Sequence, residues 1–137
     1  MQLILQSLST AFRFVEISSI YKRFKSVDHV DLNASMEFVV KIITQLEPEK
    51  TMEVLDTVDK RAQVMLLAFD DLILMSPRLT LPYPELHTDS LIIHCAAEAW
   101  GQYEHPVYQK TLSEISRGAR VSIDTEFFLQ GRTLLDI

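Results

Sequence analysis

The chain has 137 residues, which is the length of one domain, and it is 47% hydrophobic and 23% charged, as globular domains are. Lys and Arg number 13 against 19 Asp and Glu, and the resulting net charge of −6 disfavours nucleic acid as a partner. No apolar run approaches the roughly 18 residues that span a bilayer, so no membrane partner is expected.

The first half of the chain alternates between helical and strand patterns. Apolar residues at helical spacing predict an amphipathic helix over 1–13, and a β-branched and aromatic run predicts a short strand over 15–21. A basic loop over 22–29 separates this strand from a long alternating pattern over 32–42, which predicts a strand with one buried face. A proline at the first helical position then predicts a helix over 48–60.

The middle of the chain begins with a continuous apolar run over 64–69. Such a run predicts a central strand that is covered on both faces. Asp70 and Asp71 predict a turn into a second short strand over 72–74. Extended and loop structure is expected beyond it, because three prolines follow closely: Pro77, Pro82 and Pro84.

Two capping patterns mark helices in the last third of the chain. Thr88 or Asp89 can cap a helix that carries several apolar residues. Thr111 and Glu114 form the capping-box pattern, which predicts a second, shorter helix. The tail over 120–137 predicts two strands that meet near its Gln-Gly-Arg sequence.

This order of elements predicts an α+β protein with a mostly antiparallel sheet and helices packed on one face. If one strand is placed before the first helix, the core order becomes βαββαβ, the ferredoxin-like arrangement.

Several sequence patterns that carry chemistry are absent. Three scattered glycines exclude the Gly-rich phosphate loops, and no H-E-x-x-H, C-x-x-C or G-x-S-x-G occurs. A single cysteine, Cys95, excludes an internal disulfide and a multi-cysteine zinc site. The first residues lack the basic segment of a secretory signal, so a cytoplasmic protein is expected.

Three segments in order resemble the 6-hydroxymethyl-7,8-dihydropterin pyrophosphokinase family. They are S-S-I-Y at 18–21, L-N-A with the later L-E-P-E over 32–49, and, most specifically, S-P-R-L-T-L-P-Y-P-E-L-H at 76–87. The resemblance covers about residues 1–115 and implies a single domain of this family over 1–137, with 116–137 as an extra C-terminal strand segment. The family is ferredoxin-like and transfers pyrophosphate from ATP to a pterin alcohol in folate biosynthesis.

The family's magnesium ligands are missing from this chain. Its two aspartates on one strand fall on Gln63 and Met65, whereas Mg²⁺ prefers carboxylate oxygens to an amide or a soft sulfur. Asp70 and Asp71 are adjacent, so on a strand they would point to opposite faces. The family's arginine-rich loop over ATP is essentially deleted here. No metal, no cofactor and no catalytic residue are expected, and only an active enzyme would need Mg²⁺ and ATP.

The resemblance also places nucleotide-binding positions on this chain. They fall on Asp59, Arg78, Thr80 and His87. Asp89 stands where the family has an arginine, which replaces a partner of phosphate by a charge that repels it.

The pterin-binding positions are partly kept. Asn33 matches the asparagine that hydrogen-bonds the pterin edge, a role that suits an amide because it both donates and accepts. Arg23 lies in the first loop segment, where the family has a different sequence, and Leu91 replaces an aromatic residue that stacks on the pterin.

The family's first strand has no counterpart before the first helix. An empty slot at the centre of a sheet would leave backbone groups of both neighbours unpaired. We therefore expect segment 121–129 or 133–137 to fill the slot, in its own chain or in a partner copy. Residues upstream of Met1 are the alternative.

Three functions remain open from the sequence. The first is a family member by descent that has lost catalysis and acts as a binding or assembly protein, with a pterin-like small molecule near Asn33 and a homodimer as partners. The second is an active pyrophosphokinase that uses replacement magnesium ligands. The third is a structural partner of another protein.

Overall fold

A computed structural model describes residues 2–24, 34–58, 63–120 and 125–135. Within these ranges the helices are α1 (Gln2–Ala11), α2 (Pro48–Asp56), α3 (Ser90–Trp100), α4 (Leu112–Arg117) and α5 (Arg132–Leu135). The strands are β1 (Arg13–Ile17), β2 (Ile20–Phe24), β3 (Ala34–Glu37), β4 (Val40–Ile43), β5 (Leu74–Met75), β6 (Thr80–Leu81) and β7 (Thr125–Leu129). All strand pairs in the described ranges are antiparallel, which confirms the α+β class.

The main β-structure is a long antiparallel ribbon, in which β1 pairs with β4 and β2 pairs with β3. Ser18 interrupts the ribbon in the middle. Its N–H donates to the Val39 carbonyl oxygen at 2.9 Å, and its hydroxyl accepts from the Val39 N–H at 2.9 Å. The continuous strands predicted over 15–21 and 32–42 are therefore wrong, because a serine hydroxyl takes the place of a backbone partner and splits each of them.

The C-terminal segment adds an edge strand to this ribbon. β7 pairs with β2, which gives the strand order β3-β2-β7. The expectation that segment 121–129 fills an empty slot at the centre of the sheet is not confirmed, because the described part of the segment pairs with β2 alone and lies at an edge. The second tail strand is wrong, because the chain after Gly131 forms α5, in which Leu134 N–H donates to Gly131 O at 3.0 Å.

The apolar run over 64–69 is not a strand, contrary to the prediction. Its residues are mostly half-buried, and no strand among the described residues pairs with it. The Leu67 carbonyl oxygen accepts a hydrogen bond from the Tyr83 N–H at 2.7 Å. The Phe69 carbonyl oxygen accepts one from the Leu72 N–H at 3.1 Å. An apolar run in a sequence indicates that its side chains are buried, but it does not indicate whether a neighbouring strand is present to pair with it.

The turn predicted at Asp70 and Asp71 is confirmed. Asp70 has a φ of 48°, a left-handed conformation that Asp tolerates better than most residues, and its carbonyl oxygen accepts the Tyr103 hydroxyl. The short strand predicted over 72–74 starts only at its last residue, where β5 pairs with β6 to form a small hairpin.

The predicted helix starts are confirmed. Pro48 is the first residue of α2, and Asp89 caps α3 through its side chain. Thr111 and Glu114 form both hydrogen bonds of the capping box at α4. None of the helices in the described ranges has the length and apolarity to cross a membrane.

The core is divided into two apolar clusters. One lies between α1 and α2, against the β1–β4 pair; its buried members are Leu8, Phe12 and Leu55. The other joins α3 to α4; its buried members are Leu86, Ile93, Ala96, Tyr103 and Leu112. The half-buried run over 64–69 contributes side chains to both clusters, which explains its apolar sequence without a strand.

Candidate functional site

The two positions that match the family's metal ligands do not fit magnesium. Gln63 is exposed and Met65 is 40% exposed, on a segment that is not a strand. Asp70 and Asp71 are exposed in the turn that follows. In the part of the chain that the structure describes, no group of three or more His, Cys, Asp or Glu residues could hold a metal ion.

Arg23 on β2 links the sheet to the start of α3. Its Nη2 donates to Asp89 Oδ1 at 2.8 Å, and its Nε lies 2.6 Å from Glu37 Oε2 on β3. In this second contact the Nε–H group is not aligned for a hydrogen bond, so we describe it as an ion pair. Asp89 Oδ1 also accepts the backbone N–H groups of Leu91 at 3.0 Å and Ile92 at 3.1 Å.

These contacts fix the charges of this cluster. The hydrogen bond to Asp89, followed by the charge of Glu37, raises the pKa of Arg23 against the effect of its burial. Burial by itself would raise the pKa of Asp89, but the hydrogen bonds from Arg23 and from two backbone N–H groups outweigh it, and the pKa is lowered. The cluster is therefore one cation held between two carboxylates, which leaves little positive charge for a phosphate.

The two described positions that were predicted to bind pterin, Arg23 and Leu91, meet at this cluster. Arg23 binds the Asp89 carboxylate, which is also bound by the backbone of Leu91. The side chain of Leu91 is 1% exposed and is part of the core, so its surface is not offered for stacking on a ring. Asn33 lies outside the described residues.

The described positions that were predicted to bind the nucleotide lie on separate elements. Arg78 and Thr80 belong to the β5–β6 hairpin, where Thr80 pairs with Met75 and Arg78 is exposed. No hydrogen bond or ion pair of the described residues joins this hairpin to His87. Asp59 lies outside the described ranges.

His87 instead belongs to an aromatic cluster that the sequence did not predict. Its Nε2 lies 2.9 Å from the Tyr108 hydroxyl, and the two ring centroids are 4.6 Å apart. His105 is buried beside both rings, and its Nδ1 accepts the N–H of Val107 at 3.2 Å. Burial, and then the proximity of His87, lowers the pKa of His105, so its imidazole is neutral at neutral pH.

Glu98 ties the C-terminal half of α3 to the break in the ribbon. Its Oε2 accepts from Ser19 N–H at 3.0 Å and from the Ser19 hydroxyl at 2.6 Å, and its Oε1 accepts from the Tyr21 hydroxyl at 3.1 Å. Burial and the negative charge of Glu98 raise the pKa of Tyr21 to about 12. Tyr21 therefore remains a neutral phenol, and the cluster holds the helix on the sheet. The positions of Ser19 and Tyr21 were noticed in the sequence, but nothing there indicated Glu98 as their partner.

Cys95 is expected to be unreactive in the folded protein. It is 1% exposed, and burial followed by the charge of Glu98 raises the pKa of its thiol to about 12. Compared with an unperturbed thiol of pKa about 8.5, its thiolate fraction at pH 8 falls roughly a thousandfold. Labelling with Ellman's reagent should therefore be slow in buffer and fast in guanidinium chloride. Complete labelling within seconds, with the circular dichroism unchanged, would contradict this.

No protein-family model matches the chain, and no curated protein matches it. The resemblance to the pyrophosphokinase family therefore rests on the three sequence segments. In the structure, segment 18–21 crosses from β1 to β2, and 76–87 forms the connection after β5, strand β6 and the approach to α3.

Proposed function

We propose that the chain is a catalytically degenerate member of the pyrophosphokinase family that acts as a binding or assembly protein. The observation that carries this proposal is the pair Gln63 and Met65, exposed on an unpaired segment where the family has two metal-binding aspartates. The antiparallel strands and α3 support the α+β class, and the ferredoxin-like arrangement is part of the proposal.

The charges near α3 support the loss of nucleotide binding. The carboxylate of Asp89 stands where the family has an arginine, and it takes up the nearest cation, Arg23, at 2.8 Å. Glu37 holds the same guanidinium at 2.6 Å. A triphosphate that approached this cluster would meet two carboxylates and one cation that is already paired.

Exposed apolar side chains support the assembly part of the proposal. Phe127 and Phe128 on β7 are 51% and 39% exposed, and Met75 on the β5–β6 hairpin is 85% exposed. β7 ends the strand order β3-β2-β7 among the described residues, so it can pair with a further strand. A homodimer is the assembly that we propose, in the cytoplasm, where a free thiol such as Cys95 stays reduced.

Calorimetry with a non-hydrolysable ATP analogue tests the proposal. We expect no binding heat that depends on Mg²⁺, because no group of three or more His, Cys, Asp or Glu among the described residues could hold the ion. A pyrophosphokinase that has both aspartates serves as the positive control. Micromolar binding that requires Mg²⁺ would contradict the proposal and favour the active enzyme. A parallel titration with 6-hydroxymethylpterin, without nucleotide, tests the pterin-like ligand.

A further inference from the structure

Strand β7 has a strand partner along only one of its two edges. β2 lies along that edge, and no strand of the described residues lies beyond β7. Its central residues, Glu126, Phe127 and Phe128, are all exposed, although two of them are aromatic. The backbone groups at such an edge can pair with another extended chain.

The side chains of β7 divide between the two faces of the sheet. Phe127 lies opposite Tyr21, and the two rings meet edge to face with their centroids 6.0 Å apart. On the other face Glu126 lies opposite Lys22, whose Nζ is 5.1 Å from the centre of the Phe128 ring. Phe128 has no direct partner on β2, because the register between the two strands shifts at this point.

This edge is complementary to itself in one antiparallel register. A twofold axis perpendicular to the sheet keeps each side chain on its face, so the axis must pass beside a residue that lies opposite its own copy. Glu126 at the centre would place two carboxylates opposite each other, and Phe128 would place the irregular position there. Phe127 at the centre instead forms a row of four aromatic rings, because Tyr21 flanks it in each copy.

The same register brings opposite charges together. Glu126 of one copy comes beside Phe128 of the partner subunit, over whose ring the partner's Lys22 is held. Neither Glu126 nor Lys22 has an ion pair with another described residue, so both charges are available for this contact. The twofold symmetry makes the contact occur twice.

We propose that two copies of the chain pair through β7 in antiparallel register, with Phe127 opposite Phe127 of the partner subunit. The inference rests on the homodimer of the proposed function and names its interface. The pairing uses the β7 edge of both copies at once, so it closes at two copies. Each copy contributes one short strand, so the interface is small and a micromolar dissociation constant is expected.

Cysteine cross-linking tests the register. In Phe127→Cys the two new Cβ atoms would lie about 4.5–5.5 Å apart, close to the separation in a disulfide. In Phe128→Cys the two residues are diagonal neighbours about 7–8 Å apart, which is beyond the reach of a disulfide. Under mild oxidation we expect Phe127→Cys to form a disulfide-linked dimer at least about tenfold faster than Phe128→Cys. The native Cys95 is buried and should not contribute.

Sedimentation velocity between about 1 and 200 µM tests the contacts, because a micromolar dimer forms over this range. Phe127→Lys places two ammonium groups at the centre and should weaken dimerisation at least about tenfold. Glu126→Lys should also weaken it, whereas Lys22→Glu/Glu126→Lys should restore part of it, since opposite charges meet again. Met75→Lys is the matched control, because it adds the same charge at an exposed apolar position outside β7.

Each outcome separates this interface from the homodimer in general, provided that circular dichroism shows each variant to be folded. Wild-type protein that stays monomeric at every concentration would overturn both. A dimer that Met75→Lys disrupts and Phe127→Lys does not would overturn the β7 interface alone. Equal cross-linking of the two cysteine variants, or species larger than a dimer, would also overturn the proposed pairing. Loss of catalysis is independent of all these results.

Discussion

Gly131→Ala is expected to destabilise the protein by about 3 kcal/mol, the upper end of typical overpacking effects. A Cβ atom at this position would lie 2.1 Å from the Ser18 carbonyl oxygen and 2.8 Å from Ile17 Cγ1. The Ser18 backbone cannot easily give way, because it is held on the other strand through Val39 at 2.9 Å. The segment that follows β7 would have to leave the ribbon.

Gly118→Ala is the matched control for this substitution. Gly118 follows α4 at a φ of −85°, and a Cβ atom there meets only Ile115 O at 3.6 Å, an ordinary contact. Its stability should be unchanged or slightly higher, since alanine restricts the unfolded chain. Urea unfolding followed by the fluorescence of Trp100 gives both values. Equal midpoints for the two variants would contradict the close packing of Gly131.

Arg23→Met is expected to lower the free energy of unfolding by about 1–2 kcal/mol near neutral pH, because it leaves two partly buried carboxylates without their cation. The side chains of Asp89 and Glu37 are 20% and 33% exposed, so solvent reduces the effect below that of a fully buried pair. Lys50→Met breaks the exposed 3.1 Å pair with Glu53 and should cost less than about 0.5 kcal/mol.

The effect of Arg23→Met should depend on pH in a defined direction. The pKa of Asp89 is lowered in the folded protein, so its ionised form adds stability above the unfolded value of about 3.9. That stability is lost as the pH falls through the lower, folded pKa. The difference between wild type and variant should therefore be steady near neutrality and shrink below about pH 4. If Arg23→Met destabilised the protein at pH 7 by no more than Lys50→Met does, the result would contradict a stabilising contact of Arg23 with Asp89 and Glu37.

Local signals in the sequence predicted the first four helices of the described ranges, whereas α5 was predicted as a strand. Pro48, Asp89 and the Thr111–Glu114 capping box act within a few residues of the helix start, so their effect is visible in the sequence. The strands were predicted less well, because pairing depends on distant partners. The split at Ser18 depends on a hydroxyl that meets Val39 across the ribbon, and the run over 64–69 has the composition of a strand without a partner.

In the candidate site, too, single residues could be identified from the sequence, but their contacts with distant residues could not. The family resemblance identified Arg23 and Asp89 separately, but their contact joins residues that are 66 positions apart in the chain. Asp89 was interpreted as a candidate helix cap and as the loss of a phosphate partner, and the structure confirms the cap and adds the contact with Arg23. His87 was identified in the same way, whereas its partner Tyr108, 21 positions away, carried no signal in the sequence.

Loss of pyrophosphate transfer is tested most directly by measuring AMP released from ATP in the presence of 6-hydroxymethyl-7,8-dihydropterin and Mg²⁺. We expect the purified protein to release no more AMP with the pterin than without it. Gln63→Asp/Met65→Asp should be equally inactive, since the arginine-rich loop is also missing. Pterin-dependent release of AMP by the wild-type protein would contradict the proposal that the chain has lost catalysis.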